Sequence, residues 1–261
     1  MRNECNYNDL TFIIPIRIDS IIRLENLMTV LKCLKKLNSK VIVIEANKYN
    51  NNIVQHILPR SLNIKYLFIE DDDVVFYRTH FINEAMKLVS TSFVAVWDAD
   101  VVVDNQQIEE SMQALRGGYY EISFPYNGDF LNTDYVLRQK FMEHVNIDLL
   151  VKYRCYMNQL YGKDFIGGGF IMDKEKYLLA GGENENFYGW GPEDADRVLR
   201  WENIEYKTHR SKGCMFHLCH PRDINGSMRT SIYYSLCQYY LSNSRYSSKY
   251  DIINNTNKIK Q

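Results

Sequence analysis

The first hundred residues alternate short, nearly unbroken apolar runs with stretches of helical periodicity. Leu10–Ile16 (LTFIIPI) has the length and continuity of a strand buried on both faces, and Lys40–Ile44 (KVIVI), Ile64–Ile69 and Ser92–Trp97 (SFVAVW) repeat the pattern. Between them, Ser20–Leu37 carries Ile21, Leu24, Met28 and Leu31 at helical spacing, and Asn83–Leu88 continues a shorter helical pattern. Strands alternating with helices predict an α/β unit whose sheet has substantial parallel character and is covered on both faces.

The second half predicts a different mixture. Ile108, Met112 and Leu115 mark a helix that ends at Gly117–Gly118, and Tyr119–Tyr126 alternates as a strand around Ile122 and Phe124. Residues 133–161 read as mainly helical, Gly167–Gly169 as a tight backbone site, and Pro192 as the opening of a helix with Val198 and Leu199 on its inner face. Beyond Asp223 the chain turns polar and Tyr-rich. There Tyr233, Tyr234, Leu236, Tyr239 and Tyr240 form an amphipathic stretch, read first as a helix docked on the domain and second as a membrane contact. An Asn/Lys tail follows and is expected to fray. With no internal repeat and no low-complexity linker, the chain reads as one continuous unit.

Composition narrows the class. The 261 residues are 46% hydrophobic and 24% charged, an ordinary globular mixture that excludes wholesale disorder, collagen and a disulfide miniprotein. A formal net charge of −1 provides no basic field for nucleic acid. No apolar run approaches the ~20 residues of a membrane span, and Met1–Asn8 lacks a secretory apolar core. The six cysteines, Cys5, Cys33, Cys155, Cys214, Cys219 and Cys237, follow no CxxC spacing, as expected of reduced thiols in a cytoplasmic protein.

Three segments read Asp-x-Asp, and position separates them. Asp98–Asp100 closes an apolar strand, where open α/β sheets bind ligands, and its two carboxylates call for a compensating cation or hydrogen bonds. Glu70–Asp73 reads as an exposed acidic loop. Asp194–Asp196 opens a helix, where the dipole favours acids, and on these grounds alone is a helix start. A cation at Asp100 needs further ligands, and His217 and His220 stand three apart in Met215–His220 (MFHLCH). Imidazoles with a carboxylate suit manganese or zinc, whereas magnesium prefers all-oxygen shells; Cys219 leaves zinc open, although no CxxC completes such a site.

Five ordered segments carry a resemblance. Ile13–Arg17 (IIPIR), Phe76–Asn83 (FYRTHFIN), Trp97–Asp100 (WDAD), Gly167–Asp196 (GGGFIMDKEKYLLAGGENENFYGWGPEDAD) and His220–Asp223 (HPRD) together resemble the β-1,4-galactosyltransferase-like glycosyltransferases. The resemblance covers roughly residues 10–223. It implies a GT-A fold: a Rossmann-like nucleotide-binding half whose mixed central sheet runs into an acceptor-binding half. It also implies a metal-dependent, inverting hexosyltransferase that uses a UDP-sugar.

By motif position, Pro15, Arg17 and Arg78 would contact the nucleotide and Asp98 the ribose or donor sugar. Phe165 would line the donor's C2 side, favouring galactose over N-acetylgalactosamine. Trp190 would lie against donor and acceptor sugars, Gly191 and Glu193 would serve the acceptor, and Asp194 would be the catalytic base. Asp100, His217 and His220 would bind Mn²⁺, with Mg²⁺ as the alternative. Residues 1–104 then form the nucleotide-sugar half, 105–223 the acceptor and metal-completing half, and 224–261 a C-terminal helix and tail.

The implied partners are a UDP-sugar and a glycan or lipid-linked saccharide, in bacterial polysaccharide or glycoconjugate synthesis. The scattered cysteines and the missing secretory apolar core make the cytoplasm the expected place, with a peripheral contact at the inner face of the membrane left open. Three positions depart from the family pattern: His217 where methionine is usual, Pro192 for a glycine and Ala195 for an acid. The rival expectations are a sugar nucleotidyltransferase and a non-catalytic sugar-binding protein. The first would need a Gly-rich loop after the first strand, where this chain has Ile14–Pro15–Ile16–Arg17.

Overall fold

The computed structural model describes residues 7–222 and 224–259; Cys5, Asp223 and the last two residues of the tail lie outside them. In chain order the first half contains β1 (Leu10–Ile16), α1 (Ile21–Leu34), β2 (Lys40–Asn47), α2 (Ile53–Ile57), β3 (Asn63–Glu70), α3 (Arg78–Met86), β4 (Phe93–Trp97) and β5 (Val101–Val102). There follow α4 (Asn105–Arg116), β6 (Ile122–Phe124), β7 (Phe130–Asn132), α5 (Tyr135–His144), α6 (Ile147–Tyr153), β8 (Asn158–Gln159), β9 (Gly169–Asp173) and α7 (Lys174–Leu179). The remainder is α8 (Glu193–Asn203), β10 (Thr208–Arg210), β11 (Met215–His217), α9 (Ser231–Tyr246) and α10 (Lys249–Ile259).

Seven strands form the main sheet in the order β10-β6-β9-β4-β1-β2-β3. The expected α/β architecture with a mixed sheet is therefore present. β1 pairs parallel with β2 and β4, while β9 runs antiparallel to both β4 and β6 and joins the two halves of the chain in one sheet. β1 is central, so every one of its residues is buried, as its unbroken apolar run demands. Local signals start the helices: Ser20 caps α1 through its hydroxyl, and Asp104 with Gln107 forms a capping box on α4. A second sheet, β5-β11-β7-β8, stands beside the C-terminal end of β4.

Several expectations need correction. β3 is a half-exposed edge strand rather than a buried one, because only β2 pairs with it and Asn63 and Lys65 face solvent. α3 starts at Arg78, five residues ahead of the expected helix, and the strand read over Tyr119–Tyr126 shrinks to three residues. The apolar pattern does not predict β9, because its apolar core, Phe170–Met172, is only three residues long and follows glycines. The tail forms α10 rather than fraying at once. In the Tyr-rich stretch, Tyr233 and Cys237 pack on Phe187 with Tyr240 and Leu241 against them, whereas Tyr234, Leu236 and Tyr239 are exposed. Among the described residues no helix is long and apolar enough to cross a membrane, and the five described cysteines are free thiols.

The largest correction concerns α8. Its buried face is Glu193, Asp196, Arg197, Arg200 and Trp201, while Val198 and Leu199 are only half-buried. Long-range pairing makes a charged inner face tolerable. Arg197 grips both oxygens of the fully buried Glu183 at 2.8 and 3.0 Å and lies 4.6 Å over the Phe170 ring. Arg200 holds Asp196 at 2.9 Å and donates to the carbonyls of Ala180 and Gly182.

Removing one partner strands a buried charge, so Arg197→Ala should lower unfolding free energy by about 3–5 kcal/mol in urea titrations. Burial alone would raise the Glu183 pKa, but Arg197 outweighs it and the net shift is downward from 4.5. The pair's contribution is therefore present above the ordinary carboxylate value and lost as pH falls through the depressed one. Arg197→Ala should remove that acid-side loss.

Candidate active site

β4 ends in the turn Trp97–Asp98–Ala99–Asp100, and sheet register decides what this turn meets. The Asp98 amide donates to Gly168 O at 2.9 Å, and the Trp97 indole folds back to donate to Val101 O at 3.1 Å. β5 and β11 then pair antiparallel with Val101 opposite His217, and the Leu218 amide donates to Asp100 O at 2.7 Å. The Asp100 carboxylate consequently stands 3.8 Å from His217 Nε2 and 3.0 Å from His220 Nε2.

Both imidazoles are held from behind. β11 pairs with β7 so that His217 lies opposite Asn132, whose Oδ1 is 2.7 Å from His217 Nδ1; His220 Nδ1 is 2.7 Å from Pro221 O. Those partners are acceptors, so each Nδ1 donates; His220 Nε2 lies within hydrogen-bond reach of Asp100, and with no proton on it each Nε2 could turn a lone pair to a cation beside Asp100. One ligand atom from each of the three residues lies within 4.8 Å of the others. This donor set fits a divalent cation, and two imidazoles with one carboxylate suit manganese or zinc better than magnesium. Burial pushes the Asp100 carboxyl up, but the two histidines outweigh it and hold it below the usual range. Burial also lowers His217, whereas the hydrogen bond to Asp100 raises His220 despite burial.

A cavity of about 620 Å³ opens beside Asp100, His217 and His220. It is lined by all twelve residues singled out from the sequence: Pro15, Arg17, Arg78, Asp98, Asp100, Phe165, Trp190, Gly191, Glu193, Asp194, His217 and His220. Across it from the β4 turn, the N-terminus of α8 presents Glu193 and Asp194. Arg78 links the two walls, donating to Asp98 at 2.6 Å and standing 3.8 Å from Glu193. Arg78 Nη1 and Glu193 Oε2 are buried without a hydrogen-bond partner among the described residues, which marks the floor as a place for a polar ligand. Burial and the neighbouring Asp194 charge push Glu193 up from 4.5 to about 8, against the pull of Arg78. Burial likewise raises Asp98, with Arg78 opposing.

Asp194 is asymmetric. Arg197 donates to its Oδ1 at 2.9 Å, the local pairing expected of a helix start, while Oδ2 has no hydrogen bond among the described residues. Gly167 makes room for it: a Cβ there would stand 2.7 Å from Asp194 Oδ2 and 2.6 Å from the Phe165 ring. Gly168 follows at φ +82°, which an L side chain rarely adopts. Phe165 stacks on Tyr161 at 4.3 Å and meets Phe130 edge-on at 4.8 Å, so its ring is both packed and cavity-lining. Trp190, 38% exposed, sits on a loop rather than in the core.

Arg17 is already engaged, and the acidic loop expected to be merely solvated is what engages it. Arg17 pairs with Asp71 at 2.6 Å and donates to Asp73 O at 2.7 Å, while Tyr188 donates to the Asp73 carboxylate. Sequence reasoning missed Asn132, the Glu183 partner of Arg197, and the cavity-lining Tyr234 and Gln238. The first two act across strands or loops far apart in the chain and leave no local pattern. Tyr234 belonged to the amphipathic stretch already noted, but its direction was not readable there.

Residues 149–221 match the family model described as the N-terminal domain of galactosyltransferase, which bears out the galactosyltransferase-like resemblance over that segment. Among solved structures, glucosyl-3-phosphoglycerate synthase from Mycobacterium tuberculosis, in complex with Mn²⁺, UDP and phosphoglyceric acid, is similar at TM-score 0.50 and 12% identity. The match covers 82% of this chain and 72% of that one. The catalytic domain of Drosophila β1,4-galactosyltransferase 7, in complex with xylobiose, matches at TM-score 0.48 and 15% identity. That match covers 77% of this chain and 64% of the Drosophila chain, so this protein spans less than two thirds of it. A comparison with curated protein sequences finds no match. The fold is that of the GT-A glycosyltransferases.

Glu193 makes the site's electrostatics measurable. Its pKa is raised on folding, so its contribution to stability is present below 4.5 and lost as pH rises to about 8. Glu193→Gln, which mimics the protonated side chain, should flatten that loss in urea unfolding compared at pH 5 and pH 9.

Proposed function

We propose that this chain is a GT-A glycosyltransferase that moves a hexose, galactose by preference, from a UDP-sugar to a hydroxyl of a glycan or lipid-linked saccharide, with inversion. The reading places it in bacterial polysaccharide or glycoconjugate synthesis. The observation that supports it most is the meeting, in one cavity, of a cation-competent triad with a carboxylate pair at a helix N-terminus. A nucleotidyltransferase is the weaker reading, because β1 leads into Pro15–Ile16–Arg17 with Arg17 ion-paired rather than into a glycine loop.

Asp100, His217 and His220 would hold Mn²⁺ in preference to Mg²⁺. A cation bound there supplies Lewis acidity that stabilises a departing diphosphate. Arg17 orients the nucleotide with the backbone at Pro15, and Arg78 fixes Asp98 toward the ribose or donor sugar. The Asp194 Oδ2 atom, free of other bonds, takes the proton of the attacking acceptor hydroxyl, and Arg197 on Oδ1 keeps the carboxylate in place. Glu193, with a buried oxygen lacking a partner, hydrogen-bonds an acceptor hydroxyl, and Trp190 over Gly191 excludes water from the bound sugars. Phe165, immobilised by Tyr161 and Phe130, crowds the donor's C2 position.

Purified protein given UDP-galactose should release UDP only with a divalent cation, and better with Mn²⁺ than with Mg²⁺. EDTA or Asp100→Ala should abolish the release, and full EDTA-resistant release would overturn the reading. Asp194→Asn should lower transfer by about 10²–10⁴-fold while retaining UDP binding.

Donor choice is tested separately by kcat/KM for UDP-galactose and UDP-N-acetylgalactosamine. Phe165→Ala should admit the N-acetylated donor, and a wild-type preference for that donor would refute the role given to Phe165.

A further inference from the structure

The C-terminal helix reaches the cavity, and none of the roles above uses it. Thr230 caps α9 by accepting from the Tyr233 amide at 3.0 Å. The buried stripe of the helix lies under the Trp190 loop: a Cβ on Gly191 would stand 3.3 Å from Tyr233 Oη and 3.5 Å from Cys237 Sγ. Just ahead of the helix, the Arg229 guanidinium lies 4.8 Å from the Tyr188 ring and 4.7 Å from the Tyr233 ring, and it donates to Tyr188 O at 2.7 Å. α9 is thus fixed relative to Trp190. One position round from the buried stripe, Tyr234 and Gln238 stand four residues apart on one helix face, and both line the cavity together with Trp190 and Met228. Tyr234 is 52% exposed, and neither its hydroxyl nor the Gln238 amide has a hydrogen-bond partner among the described residues.

We propose that Tyr234 and Gln238 form a subsite for the second sugar ring of the acceptor, which makes a disaccharide or longer saccharide the preferred acceptor. This inference rests on the transferase reading above. A pyranose presents a C–H face and a rim of hydroxyls, which match an aromatic face and a primary amide at i and i+4. A lipid chain would call for an unbroken apolar surface in place of Gln238. Tyrosine suits such a platform because ordering its two side-chain torsions costs little. The fixed seat of α9 beneath Gly191 keeps the platform in register with the ring that Trp190 covers.

The test compares kcat/KM for matched acceptors with UDP-galactose and Mn²⁺: xylose with xylobiose, glucose with cellobiose, and N-acetylglucosamine with N,N′-diacetylchitobiose. In at least one pair the disaccharide should be favoured by about tenfold, the size of one aromatic stacking contact. Tyr234→Ala should collapse that ratio, and Tyr234→Phe, which keeps the ring, should preserve it. Gln238→Ala should lower the ratio by a smaller factor. No cation-dependent UDP release from the wild type would mean that the transferase reading itself fails. UDP release without a disaccharide preference in any pair, or a preference unchanged in Tyr234→Ala, would overturn the subsite alone.

Discussion

One guanidinium sets the terms for this cavity. Arg78 donates to Asp98 at the end of β4 and faces Glu193 at the start of α8, bridging two elements whose carboxylates would otherwise repel. Asp98, Asp100, Glu193 and Asp194 are four of the acids that line the cavity. Each is compensated differently: Asp98 by Arg78, Asp100 by two imidazoles, Asp194 by Arg197, and Glu193 by keeping its proton until pH rises to about 8. Because one cation is shared between two walls, the position of α8 and the chemistry of the β4 turn are coupled.

Two further features hold that geometry. The short sheet of β5, β11, β7 and β8 fixes through strand register where the His217 imidazole stands, setting Val101 against His217 and His217 against Asn132. Behind α8, Arg197 is shared between Glu183 and Asp194, so the helix is anchored by the same side chain that orients one of its cavity-facing carboxylates. A buried ion pair contributes little net stability compared with a well-packed apolar face. Its value here is positional: Asp194 can keep a free Oδ2 only because Oδ1 is tethered.

The sequence made the first half of the fold legible because its strands are buried on both faces and its helices obey a local period. It failed where burial is one-sided, as in β3, or where an element is too short to show a period, as in β9. In α8 it failed because the inner face is charged, and apolar periodicity pointed instead to Val198 and Leu199. The twelve chosen site residues do line one cavity, since strand-end acids and the ordered motifs mark positions directly. What stayed hidden was pairing at a distance: Asn132 with His217, Glu183 with Arg197, and Asp71 with Arg17 are 85, 14 and 54 residues apart. No local pattern encodes such contacts.

The central claim is that Asp100, His217 and His220 hold the cation that serves a nucleotide diphosphate in this cavity. The most direct measurement is anomalous diffraction at the manganese edge from crystals of the protein grown with Mn²⁺ and UDP. The account predicts one dominant peak bounded by the Asp100 carboxylate and the Nε2 atoms of His217 and His220, with the UDP diphosphate against it. A peak on the acidic Asp71–Asp73 loop instead, or UDP bound away from these three side chains, would contradict it.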